Sequence, residues 1–146
     1  MTALAADASR RTRNLQGKSI ASYVVATSAE IYVGSLVCVR GSADNRVLAG
    51  TIAASRKFVG MSEERATGNT AGTVRCRVSW GYEALIDAST VVTAGFVGVN
   101  VTIGDDNLVS TAGATATDVF VGEVIQLDGG DADAWVALRQ YSRNDS

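Results

Sequence analysis

The chain contains no histidine, no proline and only two cysteines, and aromatic residues make up 6% of its 146 positions. Without histidine, no Ser-His-Asp or Cys-His catalytic arrangement can be built within the chain, nor any His-ligated metal site. Cys38 and Cys76 are too few for a four-thiolate zinc site. Each sits in an alternating strand pattern, which predicts buried free thiols. The lack of proline removes any prolyl cis bond as a slow folding step. No apolar run approaches the roughly 20 residues that a membrane helix needs. Arg10, Arg11 and Arg13 are followed by no apolar stretch, so no secretory signal is expected. Glycine-rich phosphate loops are also missing.

Several acidic groupings fall short of a site. Glu63-Glu64 and Asp105-Asp106 are neighbours on predicted loops, with no sign of a cleft between two carboxylates. The turn Gly104-Asp105-Asp106-Asn107 lacks the alternating ligands and terminal glutamate of an EF-hand. Gly129-Gly130-Asp131-Ala132-Asp133 is a single copy, whereas calcium-binding β-helix repeats stack several. Both stretches read as ordinary hairpin turns. The sequence therefore predicts no catalytic residue, no cofactor and no metal site.

At 47% hydrophobic and 19% charged residues, the composition is that of a globular domain. A single domain of this length buries roughly 70% of its unfolded surface. The net charge of −2 is unevenly spread. Residues 1–18 carry Arg10, Arg11, Arg13 and Lys18 against Asp7, a net +3, and the remainder carries −5. This pattern predicts an extended basic N-terminal arm, residues 1–18, ahead of one β-rich domain, residues 19–146. The arm is either a solvated, frayed terminus or meets something acidic, whether nucleic acid or the acidic body of another protein or a sister copy.

One tripeptide, aromatic-Val-Gly, recurs four times: Tyr32-Val33-Gly34, Phe58-Val59-Gly60, Phe96-Val97-Gly98 and Phe120-Val121-Gly122. Aromatic and β-branched residues suit a pleated surface, and the glycine admits a bulge or a close backbone approach. The copies form two pairs. In each pair a strand, a polar turn and a short strand separate the two copies, which predicts one strand-hairpin unit used twice.

Around these units, Ile20–Ala26 reads as a first strand, Glu63–Gly72 as a polar loop, and Thr51–Lys57 as a connector able to make one helical turn. Val74, Cys76, Val78 and Trp80 alternate with Arg75, Arg77 and Ser79. The first set belongs to the core. The second presents two guanidinium groups about 7 Å apart, on a solvated strand face or a binding patch. Glu83–Ile86 extends this strand past a bulge, Asp87–Thr90 is a capped turn, and Ala134–Gln140 is the last strand. With eight to ten short strands and no long helix, the chain is expected to be all-β, a compact barrel or sandwich of antiparallel strands.

The runs Tyr32-Val33-Gly34 with Leu36-Val37-Cys38-Val39, Phe58 to Glu64, and Val74 to Val78 resemble the small decoration (cement) proteins of tailed-bacteriophage heads. Gly98 to Val101, Asp105 to Val109, Phe120 to Val124 and Trp135 to Leu138 are similar to the same pattern, so that residues 20–140 are covered and the arm is not. The resemblance implies a non-enzymatic virion protein on the outer capsid surface, made in the bacterial cytoplasm. Its partner would be the major capsid protein, and it would assemble as a homo-oligomer, favouring a trimer. Arg10, Arg11, Arg13, Lys18, Arg75 and Arg77 are then the candidate partner-binding residues. Deleting residues 1–18 is expected to weaken attachment and leave the fold intact. Two alternatives stand beside this reading. One is another β-barrel virion component, of the head-completion or tail type. The other is a nucleic-acid-binding barrel that uses the basic arm, although sheet-based nucleic-acid binders usually carry several aromatics on a basic face.

Overall fold

The computed structural model describes residues 4, 6–40, 44–50, 56–88, 97–107, 109–111, 119–128 and 133–140. Thirteen strands occur among them: β1 (Thr12–Arg13), β2 (Ser19–Val24), β3 (Glu30–Ile31), β4 (Leu36–Val39), β5 (Val47–Ala49), β6 (Lys57–Ser62), β7 (Ala66–Thr67), β8 (Arg75–Trp80), β9 (Glu83–Asp87), β10 (Asn100–Ile103), β11 (Val109–Thr111), β12 (Phe120–Leu127) and β13 (Asp133–Leu138). One 3-10 turn, Leu15–Gly17, joins β1 to β2. Of the predicted helical turn at Thr51–Lys57 only Arg56 and Lys57 lie within the described residues, and of the capped turn at Asp87–Thr90 only Asp87 and Ala88.

The strands form two large antiparallel sheets, in the orders β2-β8-β6-β4-β5 and β1-β9-β13-β12-β10-β11, with β3-β7 as a small third sheet. The two large sheets pack as a sandwich. Leu36, Cys38, Phe58 and Met61 of the first meet Ile86, Val101, Ile103, Val121, Val124, Val136 and Leu138 of the second. The first sheet is also apolar on its other face. There Val37, Val39, Val47, Val59, Cys76 and Val78 pack with Val25 and with Ile31 and Ala66 of the small sheet. Period-two alternation sends successive residues of β4 into different cores, so all four are buried. A single parallel bridge, Val25 to Val47, joins the end of β2 to β5 and curls the sheet over its second core.

The duplication extends beyond the hairpin units. Each half makes the same five-stranded order: its first strand pairs its last, the last pairs the third-placed strand, and that strand pairs a hairpin. The tripeptides fix the shared geometry. Val37 faces Gly60 and Cys38 faces Phe58, leaving Val59 as the bulged residue. In the other half Val101 faces Gly122 and Thr102 faces Phe120, leaving Val121. Gly34 and Gly98 have left-handed φ of 85° and 88°, and each begins the turn into its hairpin. Gly34 N donates to Ser62 O at 3.1 Å, and Ser62 N to Ser35 O at 2.9 Å. Gly98 N donates to Val124 O at 2.8 Å, and Val124 N to Val99 O at 3.0 Å. Within each half, one copy of the tripeptide is thus the turn and the other the bulge beside it. Phe96 lies outside the described residues.

Three expectations are corrected. Gly81, at φ 84°, does not bulge β8 onward. The chain turns there and β9 enters the other sheet. The polar loop at Glu63–Gly72 contains β7, which pairs with β3. Lastly, residues 4 and 6–18 do not extend away from the body, since Thr12–Arg13 pairs with Ala84 and Glu83 at the edge of the six-stranded sheet.

The glycines give a direct test. A Cβ on Gly122 would overlap the Ala137 carbonyl oxygen, whereas one on Gly98 meets nothing within 4 Å. Gly98→Ala is expected to cost about 1–2 kcal/mol, the left-handed penalty alone. Gly122→Ala should cost at least about 3 kcal/mol, because backbone must move. Denaturant unfolding of the two variants reads the difference.

Candidate interaction surfaces

The four basic residues near the N-terminus are engaged by their own chain. Arg10 Nε donates to Gly34 O at 2.7 Å, and its Nη2 to Asn107 Oδ1 at 3.1 Å. Arg13 Nε pairs with Glu83 Oε1 at 2.6 Å, and Asn14 Nδ2 donates to the other oxygen of that carboxylate at 2.6 Å. The guanidinium groups of Arg13 and Arg11 sit over the Trp135 ring, 4.1 and 5.6 Å from its centroid. They cover an indole left on the outer face of the six-stranded sheet. Lys18 Nζ reaches Glu63 Oε1 at 3.0 Å.

Asp106 joins three segments at this point. It is 3% exposed. Its Oδ1 accepts from Leu4 N at 2.9 Å and its Oδ2 from Ser35 Oγ at 3.2 Å, while its carbonyl accepts from Leu36 N at 2.9 Å. The β10–β11 turn is thereby fastened both to the start of β4 and to the N-terminal segment. Burial pushes the Asp106 carboxyl above its ordinary range, more than the bonds from Leu4 and Ser35 lower it. Burial likewise lowers Arg10, against the pull of Asp106 and other carboxylates. Asp105 and Asp106 are indistinguishable as turn residues in the sequence, and nothing local signals which one is buried.

A groove of about 260 Å³ runs between this segment and the body, lined by Arg10, Lys18, Gly34, Glu63 and Tyr82 among others. Behind it, Ser79 Oγ donates to Glu63 Oε2 at 2.8 Å and lies 2.6 Å from Tyr82 Oη, which serves as its donor. Burial raises the Tyr82 phenol. Burial also acts to raise Glu63, but bonds from Lys18 and Ser79 and the nearby cations outweigh it and leave Glu63 below the usual range. A lowered carboxylate is a weak base, and Ser79 is fully buried. This trio braces the groove wall and offers no accessible nucleophile. Among the described residues, no group of three or more acidic, Cys or His side chains could hold a metal ion.

Arg75 and Arg77 are exposed on β8. Arg77 pairs with Glu64 at 3.2 Å. Arg75 turns to β2, where Nε donates to Ser22 Oγ at 3.0 Å and Nη2 to Ser22 O at 2.8 Å. The six candidate residues therefore do not converge. Arg10, Arg11 and Arg13 hold the N-terminal segment, Lys18 braces the groove, and Arg75 and Arg77 stand at the β2–β8 end. Large apolar side chains are exposed at Leu15, Ile20, Val97, Phe120 and Ile125. Both thiols are free and buried. The Cys76 thiol is pushed up to about 11, chiefly by burial.

No protein-family model, curated protein or solved structure matches this chain.

Deleting residues 1–18 now carries a structural cost, since Glu83, Asp106, Trp135 and the β9 edge all lose partners, and a lower unfolding midpoint is expected. The pH dependence of Asp106 has a definite sign. A carboxyl raised in the fold above its ordinary 3.8 contributes most below that value, and its contribution is lost as pH rises through the folded pKa. Asp106→Asn should therefore gain stability relative to the unaltered chain as pH rises from 3.8. A difference in unfolding midpoint that is flat with pH, or that falls, would contradict this.

Proposed function

We propose that this chain is a non-enzymatic structural component of a virion, a decoration protein that docks on the outer surface of a tailed-phage head and fastens neighbouring capsomers. The observation that carries the reading concerns the tripeptides. The segments behind the resemblance form the skeleton of the fold, with Gly34 and Gly98 at the turns and Gly60 and Gly122 at the bulges. What this sequence has kept is a rigid doubled scaffold. Its main polar clusters, around Asp106 and Glu63, are spent on holding the N-terminal segment and the groove wall. Such a body suits stapling larger surfaces better than turning over a substrate. The partner in this reading is the major capsid protein, and the working form is a homo-oligomer, with a trimer favoured.

Nucleic-acid binding through the basic segment has less support. Arg10 is part-buried against backbone carbonyls, Arg13 is paired with Glu83, and Arg11 and Arg13 cover Trp135. Few of these cations remain available for phosphates.

Mixing the purified chain with empty phage heads and imaging them tests the proposal. Many copies spread over the shell are expected. A few copies at one vertex would point to a head-completion or tail role, and no attachment would overturn the reading. DNA affinity that falls steeply with salt would favour the nucleic-acid alternative.

A further inference from the structure

We infer that the free edge of β2 is a docking site for an extended, acidic segment of another protein, which would add as a further strand to the five-stranded sheet. This inference stands on the geometry of the edge and does not depend on the capsid reading.

β2 pairs with β8 in unbroken register from Ser19–Trp80 to Val24–Arg75. Its other side meets β5 at the C-terminal end, through the Val25–Val47 bridge and the bond from Ala26 N to Val47 O at 2.8 Å, and from Ser19 to Tyr23 it has no strand partner among the described residues. The ladder continues with Val25 N donating to Val74 O at 3.0 Å. Antiparallel pairs alternate between bonded and non-bonded positions. Counting back from Val25, the residues Ile20, Ser22 and Val24 occupy non-bonded positions and turn their backbone N–H and C=O groups away from β8; Val24 abuts the bridge to Val47, which leaves Ile20 and Ser22 as the open positions. The contact from Arg75 Nη2 to Ser22 O at 2.8 Å fits a carbonyl that faces away from β8. The open part of the edge, from Ser19 to Tyr23, spans about 14 Å, and Ile20 is 54% exposed upon it.

Charge identifies the occupant. At one end of the edge, Arg75 has only the neutral acceptors of Ser22. At the other, exposed Arg139 lies with Ser19, Gly17 and Trp80 around a groove of about 290 Å³. No acidic side chain pairs with either arginine among the described residues. A neutral strand would have to displace Arg75 from Ser22 O with nothing in return. An acidic strand gives Arg75 a carboxylate in exchange, a stronger hydrogen bond than the one it breaks. The same arginine thus guards the edge against unwanted pairing and selects for an acidic partner. Strand addition supplies the backbone bonds, and the arginines supply the discrimination.

The test uses the full chain and a short synthetic peptide that alternates valine with aspartate, followed by amide NMR. Shifts and slowed exchange are expected at Ile20 and Ser22. A peptide alternating valine with lysine should bind at least about tenfold more weakly. Ile20→Pro removes one outward N–H without touching the β2–β8 ladder, a position where an edge strand tolerates proline. It should abolish binding while the chain stays folded. If that variant fails to fold, the same peptide N-methylated on its bonding edge must lose affinity for the unaltered chain. The inference is overturned if the acidic peptide does not bind, if the lysine peptide binds equally well, or if N-methylation leaves binding unchanged.

Discussion

The first sheet is apolar on both faces, and most of the architecture follows from its need for two covers. A half-solvated antiparallel sheet needs only one. Here β4 buries every residue, Leu36 and Cys38 toward one core and Val37 and Val39 toward the other. The second sheet supplies one cover. The other is assembled from the sheet's own curl, closed by Val25 and Val47, and from the two short strands β3 and β7. The N-terminal segment then runs beside the junction and ties the β10–β11 turn to the start of β4 through Asp106.

Duplication explains how one unit fills both roles. Matching the halves by their bulges sets Leu36, Cys38, Phe58 and Met61 against Asn100, Thr102, Phe120 and Glu123. The first set faces the inter-sheet core, and the second lies on the outer side of the six-stranded sheet. Val37, Val39, Val47 and Val59 match Val101, Ile103, Val109 and Val121, and all eight are buried. The halves therefore stack front to back. The polar exchanges at Asn100, Thr102 and Glu123 mark where the stack ends, and Phe120, 41% exposed, is the position left unchanged. Trp135, on that same outer face, is instead sheltered by two arginines.

Period-two alternation and the repeated tripeptide made much of this legible. The core face of Val74–Trp80, the doubled unit, the bulges and the buried free thiols all follow from local pattern. What escaped had no local pattern to read. A two-residue strand such as β1, β3 or β7 has too little sequence for a periodicity and exists only because a partner edge is near. At Gly81 a positive φ serves equally well for a bulge or for a change of sheet, and long-range packing decides between them. The basic segment looked free because charge counts say nothing about where the matching carboxylates lie. Glu83 and Asp106 are far away in sequence and adjacent in space. The exposure of Arg75 was legible from alternation, but its hold on Ser22 O was not, because that contact depends on β2 lying alongside.

Cys38 and Cys76 are separated by the sheet itself, one facing each core. No breathing motion that keeps the sheet intact can bring the two sulfurs together, so an oxidant meets two isolated thiols and cannot form an intramolecular crosslink. Each sulfur is thereby a natural probe of its own compartment. The order in which a thiol reagent labels them would report which layer of the molecule opens first.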